Sequence, residues 1–182
     1  MATVFSKGIK PLFLAFLFTF SLVVTGWAHT MPVSEIDLNG ISPAATLGSI
    51  KQVYGEPLTK ESLVNGNVRS IRYQYGPLLE ITGSTALDSG LGEDELLVSG
   101  FRCKANNFYT PRGFKVDQPI SKVISLFGAG EKFTSRDTNG QETSSYLYIF
   151  PNDRADILIF YTDMAGFITE IAYRNNLSGN GR

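Results

Sequence analysis

The chain has 182 residues, 16 Lys+Arg against 17 Asp+Glu, one His, one Cys, and 43% hydrophobic and 12% aromatic residues. This is ordinary globular composition, and near-neutral charge argues against a nucleic-acid binder, which carries a basic patch to offset phosphates. A single His and a single Cys cannot furnish a His/Cys metal cage or disulfide framework, so neither metal nor cofactor is expected.

Residues 1–28 read as a secretory signal peptide. Lys7 and Lys10 precede an apolar stretch from Leu12 to Val24, and Gly26-Trp27-Ala28 supplies small residues at minus three and minus one. The apolar stretch is shorter than the ~20 residues of a spanning helix, and an uncleaved anchor is the alternative. Cleavage would leave 154 residues beginning at His29, with a net charge of −3 and export to the periplasm or cell exterior. Cys103, between Phe101 and the polar run Lys104–Asn107, is expected as a small buried hydrophobe.

The remaining chain repeats itself at a spacing of 73 residues. Gly40-Ile41 aligns with Gly113-Phe114, and Leu47, Ile50, Val53, Tyr54 and Gly55 align with Ile120, Val123, Leu126, Phe127 and Gly128. Tyr73 and Tyr75 fall on Tyr146 and Tyr148. Such self-similarity sets the architecture before any local signal does.

Taken in order, Glu35–Leu38 reads as a short extended lead-in. Leu47, Ile50, Val53 and Tyr54 then form one helical stripe, with Thr46 as N-cap, Gly55 as a left-handed stop and Pro57 preventing resumption. Ile71, Tyr73 and Tyr75 alternate with Arg72 and Gln74 as a strand with one wet face. Gly76-Pro77 turns into a strand over Leu78–Thr82, and a polar insert, Gly83–Glu95, leads to a strand over Leu96–Cys103. The second block repeats this: a lead-in at Phe108–Thr110, a helix from Pro119 to Gly128, and strands over Ser145–Phe150, Asp156–Thr162 and Phe167–Arg174. Residues 175–182 read as a frayed polar tail. The expected fold class is therefore α+β: two tandem units, residues 29–107 and 108–182, each a short helix on a three- to four-stranded antiparallel sheet.

The two blocks differ in one respect. Tyr146, Tyr148 and Phe150 share one face of their strand, yet Leu147 and Ile149 occupy the other; Ile157, Ile159 and Tyr161 against Leu158 and Phe160 repeat the pattern. Strands apolar on both faces are expected to be covered on both, by internal packing or by a partner protein. Tyr146, Leu147, Tyr148, Ile149 and Phe150 are therefore the candidate partner surface, although the repeat-matched tyrosines serve equally as core.

The segments Gly40-Ile41…Thr46-Leu47…Val53-Tyr54-Gly55-Glu56-Pro57 and Thr110–Phe114…Val123…Phe127-Gly128 resemble a broad group of exported bacterial proteins. That group comprises the small outer-membrane-assembly lipoproteins of the SmpA/OmlA (BamE-like) superfamily and the tandem-repeat β-lactamase inhibitor proteins. The resemblance covers most of residues 36–174 and implies a doubled helix-and-meander scaffold that binds a protein partner in the cell envelope. Here the chain is doubled, with no lipidated cysteine.

No catalytic motif emerges. A Gly-x-Ser-x-Gly elbow, a phosphate loop and a His-Glu-x-x-His pair are absent from the sequence. Glu93-Asp94-Glu95, with Asp88 upstream, lacks the ligand spacing of a calcium loop and reads as solvated. Asp153 and Asp156 flank Arg154 in an expected wet turn, and Arg112 is placed to meet an anion, a carboxylate or loop carbonyls. Asn176-Leu177-Ser178 is a glycosylation sequon only in a host that glycosylates. The reading is a non-enzymatic, exported, envelope-associated protein-binding module. A small-ligand or peptide binder with a cleft between units is the alternative, and a hydrolase built on paired carboxylates is weaker still.

Overall fold

The computed structural model describes residues 30–136, 140 and 142–175. The signal-peptide reading of residues 1–28, His29 and the sequon at Asn176 lie outside the described residues.

Neither lead-in is a strand. Val33–Glu35 forms a 3-10 turn, and Leu38 only bridges Ile41 across Asn39 and Gly40, both at positive φ. The tight turn lets Ile36, Leu38 and Ile41 all enter the core, which an extended segment alternating between two faces would prevent. Phe108–Thr110 is likewise irregular.

Helix α1 (Leu47–Tyr54) begins with a reciprocal cap: Ser49 N–H donates to Thr46 Oγ1 at 3.1 Å, and Thr46 N–H donates to Ser49 Oγ at 3.0 Å. Leu47 and Ile50 are buried, while Val53 is exposed. At about 100° per residue Val53 stands roughly 60° beyond Ile50, on the side away from Leu47 and Tyr54. Helix α2 (Ser121–Phe127) buries Val123 and Phe127.

Both helices stop at a glycine with positive φ and extended ψ: Gly55 at φ 81°, ψ −172° and Gly128 at φ 78°, ψ 177°. This differs from the left-handed helical stop expected from sequence and is more restrictive, because the region is essentially closed to residues with a Cβ. Gly55→Ala and Gly128→Ala are each expected to lower unfolding free energy by about 1–3 kcal/mol in urea titrations. Neutral substitutions at both sites would contradict these helix ends.

The expectation of two α+β units is corrected by the sheet. Strands β1 (Thr59–Asn65), β2 (Val68–Gln74), β3 (Leu79–Ala86), β4 (Val98–Cys103), β5 (Glu131–Arg136), β6 (Glu142–Ile149), β7 (Ile157–Thr162) and β8 (Ile168–Arg174) form one antiparallel sheet in the order β1-β2-β3-β4-β8-β7-β6-β5. Among the described residues the fold is mainly β, with two short α-helices on a single eight-stranded sheet. The halves meet where Gly100–Cys103 pairs with Arg174–Ile171, so the last strand of each half closes the other's edge. Strands β1 and β5, which sequence patterning missed, are the outermost and are exposed throughout. Solvated on both faces, they carry no apolar alternation to read.

Strand register divides the side chains into two faces. Ile71, Tyr73, Ile81, Phe101, Tyr173, Leu158, Phe160, Tyr146 and Tyr148 lie on the face covered by the helices, within one core. Gly83 marks how closely α1 sits there, since a Cβ on it would come within 2.7 Å of Leu47 Cγ. Backbone bonds strap each helix entry to the sheet: Leu47 N–H to Leu96 O (2.9 Å) and Val98 N–H to Ala45 O (2.9 Å). Ile120 N–H to Gly166 O (2.9 Å) and Ile168 N–H to Gln118 O (2.8 Å) do the same in the second half. The stop glycines are tied down alike, with Tyr75 Oη donating to Gly55 O at 3.0 Å and Tyr148 Oη to Gly128 O at 2.6 Å.

Candidate functional site: the open face of the sheet

The other face carries Leu63, Ser70, Arg72, Glu80, Thr82, Arg102, Glu170, Ala172, Arg174, Ile157, Ile159, Tyr161, Leu147 and Ile149. No described helix lies over it. Two β-bulges bend it, one where Thr82 and Gly83 oppose Gly100 and Val98, the other where Tyr161 and Thr162 oppose Glu170 and Ile168. A bulge's extra residue raises local twist and kinks the strand, and one such bulge lies on either side of the β4–β8 seam. Leu63 and Val64 of β1 and Ile159 and Tyr161 of β7 wall one hollow of 410 Å³, floored by Gly100, Arg102 and Ala172.

Its two sides differ in chemistry. On the first-half side Arg72 lies 3.2 Å from Glu61 and 3.5 Å from Glu80. At the seam Arg102 forks onto Glu170 with bonds of 2.7 and 3.1 Å, and Lys104 stands 3.6 Å away. The Glu170 carboxylate, chiefly through these hydrogen bonds, raises the Arg102 pKa further. Behind them Ser70, Ser84 and Ser99 form a buried hydroxyl ladder with Oγ–Oγ distances of 2.8 and 2.7 Å, ending on Thr82 O. These serines touch one another and a carbonyl but no base, and the acids of the groove are bound to cations. The arrangement suits recognition; it assembles no nucleophile–base pair. On the second-half side the corresponding positions are apolar: Ile159 and Ala172 stand where the first half has Glu80 and Arg102.

Of the sequence-selected surface residues, Tyr146, Tyr148 and Phe150 are turned into the core. Leu147 and Ile149 point to the open face, half-buried and 49% exposed respectively. The outer apolar side of β6 and β7 is therefore covered only in part: Ile159, between Leu147 and Ala172, is 4% exposed, whereas Ile149 reaches solvent. Arg102, Glu170 and the serine ladder escaped sequence reading because their partners lie on other strands, up to 68 residues away for Arg102–Glu170. Only the alternation of β8 hints at Glu170.

The remaining charged clusters are structural. The polar insert is shorter than expected, since β3 continues to Ala86 and Glu93–Glu95 forms a 3-10 turn. The acidic run is not freely solvated. Glu93 accepts from Lys60 at 2.8 Å and from Tyr73 Oη, and Asp94 pairs with Lys51. The Lys60 and Tyr73 hydrogen bonds hold the Glu93 carboxyl below its usual pKa. Arg112 meets a carboxylate, Glu35, at 3.2 Å and stacks over Phe127. Cys103 is buried, and burial pushes its thiol pKa up.

Tyrosines supply a pH signature. Burial, first among the causes, raises the pKa of Tyr54, Tyr73, Tyr75, Tyr148 and Tyr173, that of Tyr148 to about 12. A raised folded pKa means that the native state holds its proton where the unfolded chain has lost it. Stability is then full below about pH 10 and falls as pH rises, by roughly 1.4 kcal/mol per unit for Tyr148 between about pH 10 and 12. Urea titrations from pH 8 to 11.5 should show that decline, with a shallower slope in Tyr148→Phe. An unchanged slope would rule Tyr148 out as a contributor.

The described residues thus form an antiparallel sheet with one helix-covered face and one open, concave face. No protein-family model matches the chain, and no curated protein is significantly similar to it. Among solved structures, it is similar to a DUF4309 family protein from Bacillus subtilis at 14% identity and TM-score 0.40, covering 76% of this chain and 84% of that one. It is also similar to a proposed β-lactamase inhibitor protein from Streptococcus mutans at 11% identity and TM-score 0.28, covering 74% and 84%.

Proposed function

We propose that this chain is a non-enzymatic, exported, envelope-associated protein-binding module, built by duplication of a helix-and-meander unit, and that its protein partner sits on the open face of the sheet. The observation that carries the reading is the contrast between the faces. Where the halves correspond, the covered face keeps large apolar and tyrosine residues, as with Tyr73 and Tyr146 or Ile81 and Phe160. On the open face Glu80 and Arg102 stand against Ile159 and Ala172. Packing constrains both halves equally on one side and leaves the other free to serve recognition, where an apolar shelf beside a charged rim is a usable interface. The hydrogen bonds recurring at a 73-residue spacing, at Tyr75–Gly55 and Tyr148–Gly128, support the duplication.

Affinity purification of the exported protein tests the reading. A Leu147→Asp/Ile149→Asp variant, altered only on the open face, should keep its thermal midpoint within a few degrees and lose the partner retained by the wild type. Equal recovery by both proteins would sink the proposal.

The 410 Å³ hollow favours a second reading, since it draws its walls from both halves and falls within the roughly 300–1,000 Å³ of small-molecule sites. A small-ligand or peptide binder would release a stoichiometric compound on denaturation, visible by mass spectrometry.

A further inference from the structure

Three carboxylates belong to the groove, and at the seam the cation is the outward member of its pair. The Glu170 side chain is 6% exposed and lies beneath Arg102, which is 58% exposed, with Lys104 alongside. Arg72 covers Glu80 more loosely, and Glu61 stands at the β1 rim as the one acid that reaches outward with its cation. Arg174 lines the hollow, is exposed, and has no ion-pair partner among the described residues. It neighbours Gly100 on β4 and Ile157 on β7, and so stands between the charged rim and the apolar shelf. A mildly acidic chain thus turns guanidinium and ammonium groups outward over one concavity, with isoleucine, leucine and tyrosine side chains beside them.

We infer that the partner segment bound here is an acidic–apolar loop: a carboxylate received by Arg174, next to an aliphatic or aromatic side chain laid on Tyr161 and Leu147. The inference rests on the open-face reading and adds the chemistry of the occupant. Charge complementarity carries it. An arginine fork takes a carboxylate bidentately, and a basic partner loop would have to desolvate beside Arg102, Lys104 and Arg174, with Glu61 at the far rim as the outward acid to offset them. Arg174 is suited to this role because binding there breaks no ion pair with any described residue.

Selection of a phage-displayed library of disulfide-closed peptide loops against the purified protein tests it. Enriched loops should place Asp or Glu within a few positions of Leu, Phe or Trp. Their affinity should fall about tenfold or more in Arg174→Glu, less in Arg174→Gln, and should drop as salt is raised. Loops without acidic residues that bind Arg174→Glu normally but fail on Leu147→Asp/Ile149→Asp would overturn this inference and leave the open-face reading standing. Enrichment of loops that bind every variant normally, or no enrichment at all, would overturn both. Thermal melts of each variant exclude loss of fold as the cause.

Discussion

Phe160→Ala lowers the unfolding free energy by about 3–5 kcal/mol, a large part of what a domain of this size holds in reserve. Phe160 is fully buried on the covered face, edge-on to Tyr148 at 5.9 Å and to Phe114 at 6.3 Å between ring centroids. Phe114 stands edge-on to Phe127 at 6.0 Å, so the ring joins β7 to β6 and, through Phe114, to the end of α2. Truncation removes these aromatic contacts and leaves a cavity that helix and sheet, fixed by the Ile120–Gly166 and Ile168–Gln118 backbone bonds, close only in part. Urea titration and calorimetry give the number; a loss below about 1.5 kcal/mol, the scale of a conservative swap, would show that α2 is not anchored through this ring.

The second large effect is expected at Asp156, whose side chain is 0% exposed. It accepts from Tyr173 Oη at 2.6 Å and from Asn152 Nδ2 at 2.7 Å, and faces Arg154 at 3.7 Å; Asn175 Nδ2 in turn donates to Tyr173 Oη at 3.0 Å. Asp156→Ala leaves the Tyr173 hydroxyl and the Asn152 amide without their acceptor inside the protein. Hydrogen bonds to a charged group contribute about 1.5–3 kcal/mol each, and the half-exposed Arg154 adds little, so the total expected loss is about 3 kcal/mol or more. Asp156→Asn, which keeps one oxygen for Tyr173 but turns an amide toward Asn152 or Tyr173, should fall between that variant and the wild type. Equal stability of all three proteins would show that the β6–β7 turn gains nothing from the carboxylate.

These two sites show what the chain discloses before folding. Phe160 and Tyr148 were visible as alternating apolar residues, and Gly55 and Gly128 as helix stops, because each signal is confined to a few neighbouring positions. Asp156 was misjudged as a wet turn residue. Its burial depends on Tyr173, 17 residues away, and no local pattern separates a carboxylate that meets a tyrosine from one that meets water. The merging of the halves was hidden for a related reason. Strands β4 and β8 look alike whether they end two separate sheets or pair with each other, and only the assembled register decides. The open face was half legible. The apolar residues Leu147, Ile149, Ile157 and Ile159 stood out as a second stripe, but the cations beside them lie on other strands, Arg72 and Arg102 at least 45 positions earlier in the chain and Arg174 at least 15 later.

Placing a photo-crosslinking amino acid at Leu147, on the open face, and separately at Val53, exposed on the helix-covered side, compares the two surfaces in the producing cell. A discrete protein adduct from position 147, with none from position 53, is the result this account predicts. Adducts from position 53 alone, or from neither position, would contradict it.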